Sequence, residues 1–437
     1  MANTNKDINI AVIGSGVGGL AFAYYAMKKN KHIHIDMYEK EAQVGGLAVP
    51  FEIQGKRLEK FYHHIFQTDS DIITLIKDLG LEKKLKWYKD NRATLYKNKM
   101  YAFTSPIDLL RFTPIPFVDR IRTGIVLLYL SRLKNWKSLE DKTADEWMPQ
   151  RMGKVGYDVL WKNLLYGKFQ NRYKDITMSW LWSRIETRSN SKGVLGYMKD
   201  SFGEVFDTLE QKIVKQGGTI YTKTMIKEIL QKGDKVLVTY ADEAGLEQQK
   251  EYDRVIITTP SQVYTKFLKG LDEKYNQNVN DIDYISAQTI ILTLSHKLTN
   301  YYWVSVADTS APALVVVEQS NLIDQYNGKH IVYIGNYLQN DSEVLRMSDD
   351  ELKKRYYPFL KKLNKNFKEK WVEEFRVFRA PFAQPIVTTS YHTHIPAFAS
   401  GVKNVYILNM SQVYPEDRGM NFAIKNAHIL LDQMTDL

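Results

Sequence analysis

The chain has 437 residues, 44% of them apolar and 25% charged, which is typical of a soluble globular protein of about two or three domains. Cysteine is absent, which excludes disulfide scaffolds, thiolate metal sites and redox dithiols. The net charge of +10 favours anionic partners, but the basic residues are scattered without a nucleic-acid-binding motif, so no nucleic acid is expected. No signal peptide or long apolar stretch is present, and a cytoplasmic location is therefore expected.

The first predicted element is a short apolar strand over residues 8–13, followed directly by G-x-G-x-x-G at Gly14, Gly16 and Gly19. In such a motif the first glycine permits a tight turn, the second admits a pyrophosphate, and the third lets the helix pack against the strand. A second strand ends at Glu39, 20 residues past Gly19, where an acid bonds ribose hydroxyls and would repel the 2′-phosphate of NADP. Strand, motif, helix, strand and acid come in order, so the segment predicts a dinucleotide site at a helix N-terminus.

A glycine doublet, Gly45 and Gly46, follows the second strand within Lys-Glu-Ala-Gln-Val-Gly-Gly-Leu (residues 40–47). This order of motifs resembles the FAD-dependent amine oxidase and protoporphyrinogen oxidase-like superfamily, in which such a doublet follows the ribose-binding glutamate and passes close to the flavin. The resemblance implies FAD as the cofactor and the same role for the doublet. We expect glycine there because a Cβ would clash with a cofactor lying against the backbone.

Two later segments extend the resemblance to most of the chain. The strand around Met225 is similar to the superfamily's strand that touches the adenine through its backbone. An apolar strand at 405–408 is followed by a helix starting at Gly419, whose positive end, by resemblance, points at the flavin. The superfamily usually carries an acid right after this strand; Asn409 stands there, so the ribityl contact is either lost or moved to Asp417. The expected cofactor-binding residues are Gly14, Ser15, Gly16, Val17, Gly18, Gly19, Glu39, Lys40, Gly45, Gly46, Leu47, His64, Met225, Gly419, Met420 and Asn421.

The segment from 71 to 200 reads as mainly helical, and residues 118–133 within it give an apolar helical pattern. Two interpretations of this helix stay open. It is either a buried core helix with solvated basic ends, or a helix that lies in a membrane interface through 106–137, the general region where the related porphyrinogen oxidases are monotopic. The second interpretation would place the protein peripherally on the inner face of a membrane. The flanking basic residues are Arg111, Arg120, Arg122, Arg132, Lys134 and Lys137.

Residues 281–340 and 370–390 read as strands of a substrate domain. The expected fold class is α/β, with a discontinuous Rossmann-like FAD-binding domain and a substrate domain of mixed or antiparallel sheet with a helical cap. The expected boundaries are 1–70, 200–270 and 395–437 for the FAD-binding domain, 71–199 for the helical cap, and 271–394 for the substrate-domain sheet.

The candidate catalytic residues are His64 and Arg184. Residues 60–69 resemble the segment of UDP-galactopyranose mutases in which a histidine followed by Ile-Phe lies by the flavin, and His64 matches that histidine. A neutral imidazole there would orient the flavin or relay a proton, whereas His63 reads as structural. An aromatic–basic belt is formed by Trp161, Lys168, Trp180, Trp182, Arg184 and Arg188. These side chains either bind an anionic substrate or only pack in the core and carry surface charge. His392 and His394 alone do not make a metal site, and no metal is expected.

The leading hypothesis is an FAD-dependent oxidoreductase in which an organic substrate loses a hydride to flavin N5 in a cavity between domains. The first alternative is a non-redox flavin mutase acting on a nucleotide sugar, which the residues around His64 favour. The second is an FAD-binding protein without catalysis, expected only if the cavity lacks polar groups near the flavin. The expected partner is a small molecule, anionic or nucleotide-sugar-like. The sequence leaves open the substrate, the electron acceptor and the oligomeric state.

Overall fold

The computed structural model describes residues 7–191 and 193–434. Its strands are β1 (Ile8–Ile13), β2 (Ile33–Tyr38), β3 (Pro50–Ile53), β4 (Lys56–Glu59), β5 (Leu85–Lys89), β6 (Arg92–Tyr96), β7 (Lys99–Ala102), β8 (Val194–Met198), β9 (Thr219–Tyr221), β10 (Met225–Lys232), β11 (Lys235–Ala241), β12 (Glu247–Tyr252), β13 (Arg254–Ile257), β14 (Tyr284–Leu294), β15 (Trp303–Val306), β16 (Val315–Glu318), β17 (His330–Leu338), β18 (Val372–Pro385) and β19 (Val405–Ile407). Its α-helices are α1 (Val17–Lys29), α2 (Ser70–Asp78), α3 (Pro106–Arg111), α4 (Phe117–Arg132), α5 (Ala144–Met152), α6 (Lys154–Tyr157), α7 (Asn163–Phe169), α8 (Met178–Asn190), α9 (Gly203–Lys215), α10 (Ser261–Tyr264), α11 (Glu273–Asn280), α12 (Asp349–Leu363) and α13 (Met420–Gln433).

The glycine motif lies at the end of a central strand in a five-stranded parallel sheet, in the order β19–β13–β1–β2–β9. Its strands come from three separate stretches of the chain. Both faces are covered: Ile10 and Val12 pack with the core around α1, which contacts α9 and α13, and Ala11 and Ile13 pack with the three-stranded antiparallel sheet β10–β11–β12. Coverage on both faces explains why β1 is apolar on both sides.

A second, seven-stranded sheet has the order β18–β14–β17–β16–β15–β6–β7 and is antiparallel except between β15 and β6. All 11 residues of β14 are buried, because this strand separates two cores. Ile290 and Leu292 pack with the apolar residues of α12, whereas Ile291 belongs to the larger core on the opposite face. The predicted α/β fold class, with a parallel sheet and a separate mixed sheet, is confirmed.

The segment 71–200 is less helical than predicted. It contains β5 to β8, and the hairpin β6–β7 joins the edge of the seven-stranded sheet through the parallel pairing of β6 with β15. The hairpin turns at Lys97 and Asn98, whose φ angles of 48° and 61° lie in the left-handed region. Glycine usually marks such a turn, and its absence here hid the hairpin in the sequence.

Helix α4 has two apolar faces. Val126 and Leu130 are buried on the side that packs against α8. On the opposite side Phe117, Val118 and Ile125 are 63%, 65% and 62% exposed. The same surface carries Ile107, Leu110, Ile121, Leu128 and Tyr129, all exposed. The interpretation as a buried core helix therefore holds for only one face. Within residues 7–191 and 193–434, no helix combines the length and the apolar character needed to cross a bilayer.

Candidate active site

A cavity of about 1100 Å³ opens at the carboxyl edge of the parallel sheet. Its near wall includes the residue that follows each of four strands: Gly14 after β1, Glu39 after β2, Thr258 after β13 and Leu408 after β19. Its far wall comes from β14, β15, β17 and β18 of the seven-stranded sheet. The carboxyl edge is where open parallel sheets bind ligands, and the volume exceeds that of a typical single-ligand pocket. The cavity can therefore hold a large cofactor together with a substrate.

Each of the three glycines of the turn is needed for a different structural reason. Gly14 has a φ of +100° and donates its N–H to the carbonyl oxygen of Tyr38 at 2.8 Å, which ties the turn to β2. A Cβ on Gly19 would lie 2.4 Å from the carbonyl oxygen of Gly14, so α1 can approach β1 only with glycine there. A Cβ on Gly16 would meet no atom within 4 Å, since this position faces the cavity. The space beside Gly16 is therefore open to a ligand.

Glu39 is held by the turn that it faces. Its Oε2 accepts hydrogen bonds from the backbone N–H of Ser15 at 2.9 Å and from Ser15 Oγ at 2.8 Å, and its Oε1 accepts from the N–H of Glu41 at 3.0 Å. The side chain is buried yet reaches the cavity wall. Ser15 itself lies behind that wall and positions Glu39 instead of facing the cavity.

Two helices begin at this cavity without side-chain caps. Gly16 precedes α1 and Gly419 precedes α13, and neither supplies a capping oxygen. The first N–H groups of each helix lack intrahelical partners, and the helix dipole adds partial positive charge there. One uncapped end suits a diphosphate and the other suits the charge that develops on a reduced flavin, so the pair fits both halves of FAD.

A cluster of charged side chains lies farther along the cavity wall. Lys168 Nζ donates to both carboxylate oxygens of Asp417, at 2.9 and 2.8 Å, and Arg184 also donates to Asp417. Burial lowers the pKa of Lys168 to about 8, although Asp417 opposes this shift. Burial also disfavours the Asp417 carboxylate, but Lys168 and Arg184 outweigh it and hold the pKa of that carboxyl well below its usual range. Asp417 is therefore engaged by two cations and is not free to replace the missing ribityl contact.

Arg418 adds a second polar pair beside this cluster. Its Nη2 donates to Tyr337 Oη at 2.8 Å and its Nε donates to Gln384 Oε1 at 3.1 Å. Burial acts to raise the pKa of Tyr337, but the charges of Arg418 and Lys168 lower it below its ordinary value. Lys168 Nζ lies 5.1 Å from the centre of the Tyr337 ring. The cavity thus contains an ammonium and a phenol that both lose a proton more readily than usual.

His63 and His64 both line the cavity. His63 Nδ1 donates to the carbonyl oxygen of Phe61 at 2.6 Å, and His64 Nδ1 lies 3.2 Å from Tyr302 Oη. Burial lowers the pKa of His63 to about 4, and burial together with the charge of Arg188 lowers the pKa of His64 to about 3. Both imidazoles are neutral at pH 7. His64 can therefore orient a ligand by hydrogen bonding, whereas its low pKa makes it a poor proton acceptor.

Known proteins agree with this fold and this cofactor fit. Residues 17–411 match the sequence profile of the flavin containing amine oxidoreductase family. The chain belongs to this family. It is an oxidoreductase whose cofactor is FAD, and the predicted superfamily and cofactor are confirmed.

Individual relatives of this amine oxidoreductase are distant. Coproporphyrinogen III oxidase of Staphylococcus aureus is 22% identical over 391 residues, which cover 79% of this chain and 81% of the relative. A candidate protoporphyrinogen oxidase from Exiguobacterium superposes with a TM-score of 0.78 at 14% identity, over 99% of both chains. UDP-galactopyranose mutase superposes with a TM-score of 0.73 at 13% identity, over 98% of this chain and 96% of the other. At these identities the structural likeness shows the fold.

Nearly all residues expected to hold the FAD of this flavoprotein lie on one cavity. Its wall includes Gly14, Gly16, Val17, Gly18, Gly19, Glu39, Lys40, Gly45, Gly46, Leu47, His64, Met225, Gly419, Met420 and Asn421. The Asn421 side chain also has a structural task, because its Oδ1 accepts the N–H groups of Asp71 and Ile72 at the start of α2.

Packing within the protein also requires glycine at both positions of the doublet of this amine oxidoreductase. A Cβ on Gly45 would lie 2.8 Å from the ring of Phe206, and a Cβ on Gly46 would lie 3.0 Å from Gly16 Cα. Both residues have positive φ angles, 117° and 58°. A Cβ at either position would therefore clash with α9 or with the glycine turn, and the clash with a cofactor stays a prediction.

The predicted aromatic–basic belt is only half right. Lys168, Arg184 and Arg188 line the cavity of this amine oxidoreductase, whereas Trp161, Trp180 and Trp182 do not. Trp180 packs in the core behind Lys168 and Arg184, each about 5.0 Å from its ring centre. Trp182 donates its Nε1–H to the carbonyl oxygen of Leu130 in α4. Trp180 therefore supports the two cations, and none of the three tryptophans lines the cavity.

Sequence reasoning missed Trp303, Tyr337 and Arg418. Trp303 and Tyr337 are single aromatic residues in ordinary strand patterns, and only the pairing of the seven-stranded sheet brings them to the cavity. Arg418 did have a signal, since it precedes the glycine that begins α13, but its target Tyr337 lies 81 residues away.

Proposed function

We propose that this amine oxidoreductase oxidises an organic substrate in the cavity between the parallel sheet and the seven-stranded sheet. One observation carries the proposal: two uncapped helix N-termini and the buried Glu39 carboxylate meet at a single cavity. When bound, FAD supplies the hydride acceptor, flavin N5, for such an oxidation. The polar groups on the far side of the cavity make a purely structural role for the cofactor the weaker hypothesis.

The chain's own residues divide the work of holding the cofactor. The N–H groups at the start of α1 would bind the diphosphate, and the remaining acceptor capacity of Glu39 Oε1 would take a ribose hydroxyl. The start of α13 would face the flavin, and Met225 would lie by the adenine. The stretches 1–70, 200–270 and 395–437 would together form the FAD-binding domain, with the substrate between it and the seven-stranded sheet.

The substrate side needs groups that orient and groups that exchange protons. His64, neutral and hydrogen-bonded to Tyr302, would orient the flavin or the substrate. Burial lowers the pKa of Lys168 to about 8, and its ammonium has a third N–H beyond the two that bond Asp417, so its Nζ would exchange a proton with the substrate. Arg184 would act through Asp417, as a positioning residue, because its guanidinium is committed to that carboxylate.

The direct test is reduction of the bound flavin. Protein loaded with FAD should lose its yellow colour when mixed anaerobically with one class among amines, porphyrinogens and polyenes, whereas free FAD with the same compound should not. A colourless protein that takes up no FAD would contradict the cofactor site. A protein that binds FAD but is reduced by none of these classes would contradict the oxidation.

A nucleotide-sugar mutase is the second candidate. It is favoured by the fold shared with UDP-galactopyranose mutase and by the position of His64 on the cavity wall. Furanose formation from a nucleotide-linked galactopyranose that depends on added dithionite would support the mutase. Bleaching of the flavin by an organic substrate without furanose formation would support the oxidase.

We further propose that the exposed face of α3 and α4 contacts an anionic membrane surface. Phe117, Val118 and Ile125 are each more than 60% exposed, and Arg132 and Lys134 lie exposed at the end of the same helix. An apolar stripe with basic residues beside it binds bilayers through buried apolar area and attraction to anionic lipids. Helix α4 packs on α8, which lines the cavity, so this surface lies one helix away from the site.

Vesicle binding tests the membrane proposal. The Phe117→Ser/Ile125→Ser protein should bind phosphatidylglycerol vesicles about a hundredfold more weakly, because two large apolar side chains together contribute about 3 kcal/mol on burial. The control is Leu246→Ser/Val214→Ser, which removes two apolar side chains that are 63% and 53% exposed outside α3 and α4. Equal loss of binding in both double variants, or no loss in either, would contradict the proposal.

A further inference from the structure

Arg188 stands apart from the other cations of the cavity because, among the described residues, no carboxylate or hydroxyl pairs with it. Lys168 and Arg184 share Asp417, and Arg418 donates to Tyr337 and Gln384. Within the described part of the chain, the Arg188 guanidinium makes no hydrogen bond and no ion pair, although it lines the cavity. The neighbouring acid, Asp90, is paired with Arg92.

An unpaired guanidinium in a buried cavity is costly. Moving a charge out of water without a counter-ion disfavours the charged form, and here burial lowers the pKa of Arg188 to about 9, with Arg184 and Arg92 adding repulsion. Four cationic side chains, those of Lys168, Arg184, Arg188 and Arg418, line the cavity beside one carboxylate, Asp417. Asp90 and Asp417 both attract Arg188, but Asp90 is paired with Arg92 and Asp417 with Lys168 and Arg184. The protein therefore leaves positive charge for a ligand to neutralise.

The surroundings of Arg188 fix the geometry of its contact. Its guanidinium carbon lies 5.8 Å from the ring centre of Trp303, and the indole in turn donates its Nε1–H to Ser305 Oγ at 3.1 Å. His64 packs on the same indole, with the ring centres 5.8 Å apart. A guanidinium placed over an aromatic ring loses little freedom on binding, and its planar fork matches the two oxygens of a carboxylate.

Apolar side chains line much of the same cavity. Leu164, Leu314 and Val315 line it, together with Trp303 and Phe378. A ligand that fits both features has one carboxylate at one end and an apolar body. A highly hydrated anion such as phosphate would satisfy Arg188 but not the apolar wall.

We propose that Arg188, supported by Trp303, binds the carboxylate of an organic carboxylic acid with an apolar body, and so fixes which end of the substrate enters the site. The inference rests on the proposed function, because it assumes that the substrate occupies this cavity. The inference adds a substrate class, apolar carboxylic acids, because oxidation by flavin does not by itself require a carboxylate on the substrate.

The test compares two probes of the same shape, octanoate and octanamide, on FAD-loaded protein. Binding is measured by calorimetry and by the perturbation of the flavin absorption spectrum. Octanoate should bind more tightly than octanamide, and Arg188→Met should weaken octanoate binding by about tenfold or more while leaving octanamide unchanged, as expected for a lost charge-assisted hydrogen bond. Arg188→Lys should retain part of the octanoate affinity.

The matched control is Arg346→Met, which removes an exposed arginine in the loop between β17 and α12. Equal octanoate affinity in Arg188→Met and in the unaltered protein would overturn the inference. So would equal binding of the two probes, or tighter binding of inorganic phosphate than of octanoate. FAD content is recorded for every variant: loss of FAD binding would count against the proposed function, whereas retained FAD with Arg188-independent carboxylate binding would count against this inference alone.

Discussion

Two alanine substitutions three residues apart separate the packing role of the glycine turn from its cofactor role. In Gly19→Ala the new methyl would lie 2.4 Å from the carbonyl oxygen of Gly14, with side-chain atoms of Thr258 and Val12 at 3.3 Å. The nearest atom belongs to the backbone, so α1 must move away from β1. Overpacking of this kind costs about 1–3 kcal/mol of the free energy of unfolding. In Gly16→Ala the methyl meets no protein atom within 4 Å, and the residue already has an ordinary φ of −67°.

The two variants should therefore give opposite patterns. Urea denaturation of FAD-free protein should show Gly19→Ala destabilised by about 1–3 kcal/mol and Gly16→Ala changed by less than about 0.5 kcal/mol. Titration with FAD, followed by quenching of its fluorescence, should show Gly16→Ala weakened at least about tenfold, because its methyl occupies the space left for the diphosphate. If Gly16→Ala bound FAD like the unaltered protein, or lost as much stability as Gly19→Ala, the assignment of these two glycines would be refuted.

Two further substitutions test the polar contacts of the site. Glu39→Ala should lower the free energy of unfolding by about 1–3 kcal/mol, because the buried N–H of Ser15 loses its acceptor, and should also weaken FAD binding. Glu82→Ala, which removes an exposed acid outside the cavity wall, should do neither. The pKa of His63 is about 4 in the folded state against 6.5 in the unfolded state, so between these pH values the unfolded state binds the extra proton. The free energy of unfolding should therefore fall as the pH falls, by at most about 1.4 kcal/mol per pH unit from this residue. In urea denaturation His63→Asn should reduce that slope, whereas His392→Asn, at an exposed position, should leave the slope unchanged.

The FAD half of the site could be predicted because its signals are local. Residues 8–39 contain the strand, the turn, the helix and the acid, and each has a fixed place relative to the others in any βαβ unit. The start of α13 at Gly419 was likewise visible as a strand, a loop and a helix in sequence. The resemblance to a known superfamily then linked these distant pieces, which the residues alone could not do.

The substrate half could not be predicted in the same way. Its polar pairs, such as Lys168 with Asp417 and Arg418 with Tyr337, join residues far apart in sequence. Arg184 looked as free as Arg188 until the fold placed Asp417 beside it. The hairpin β6–β7 was missed for a related reason, because its pairing with β15 depends on residues about 200 positions away.

The cofactor site is completed by a strand and a helix that lie late in the chain. The outer strand β19 of the parallel sheet and the helix that follows are among the last described residues, yet they complete a wall that begins at Gly14. A growing polypeptide can fold the first βαβ unit early, but it lacks one of the two helix ends facing the cavity until residues beyond 420 have left the ribosome. Cofactor loading would then wait until α13 has been made, and a chain cut short before α13 would stay in the apo form.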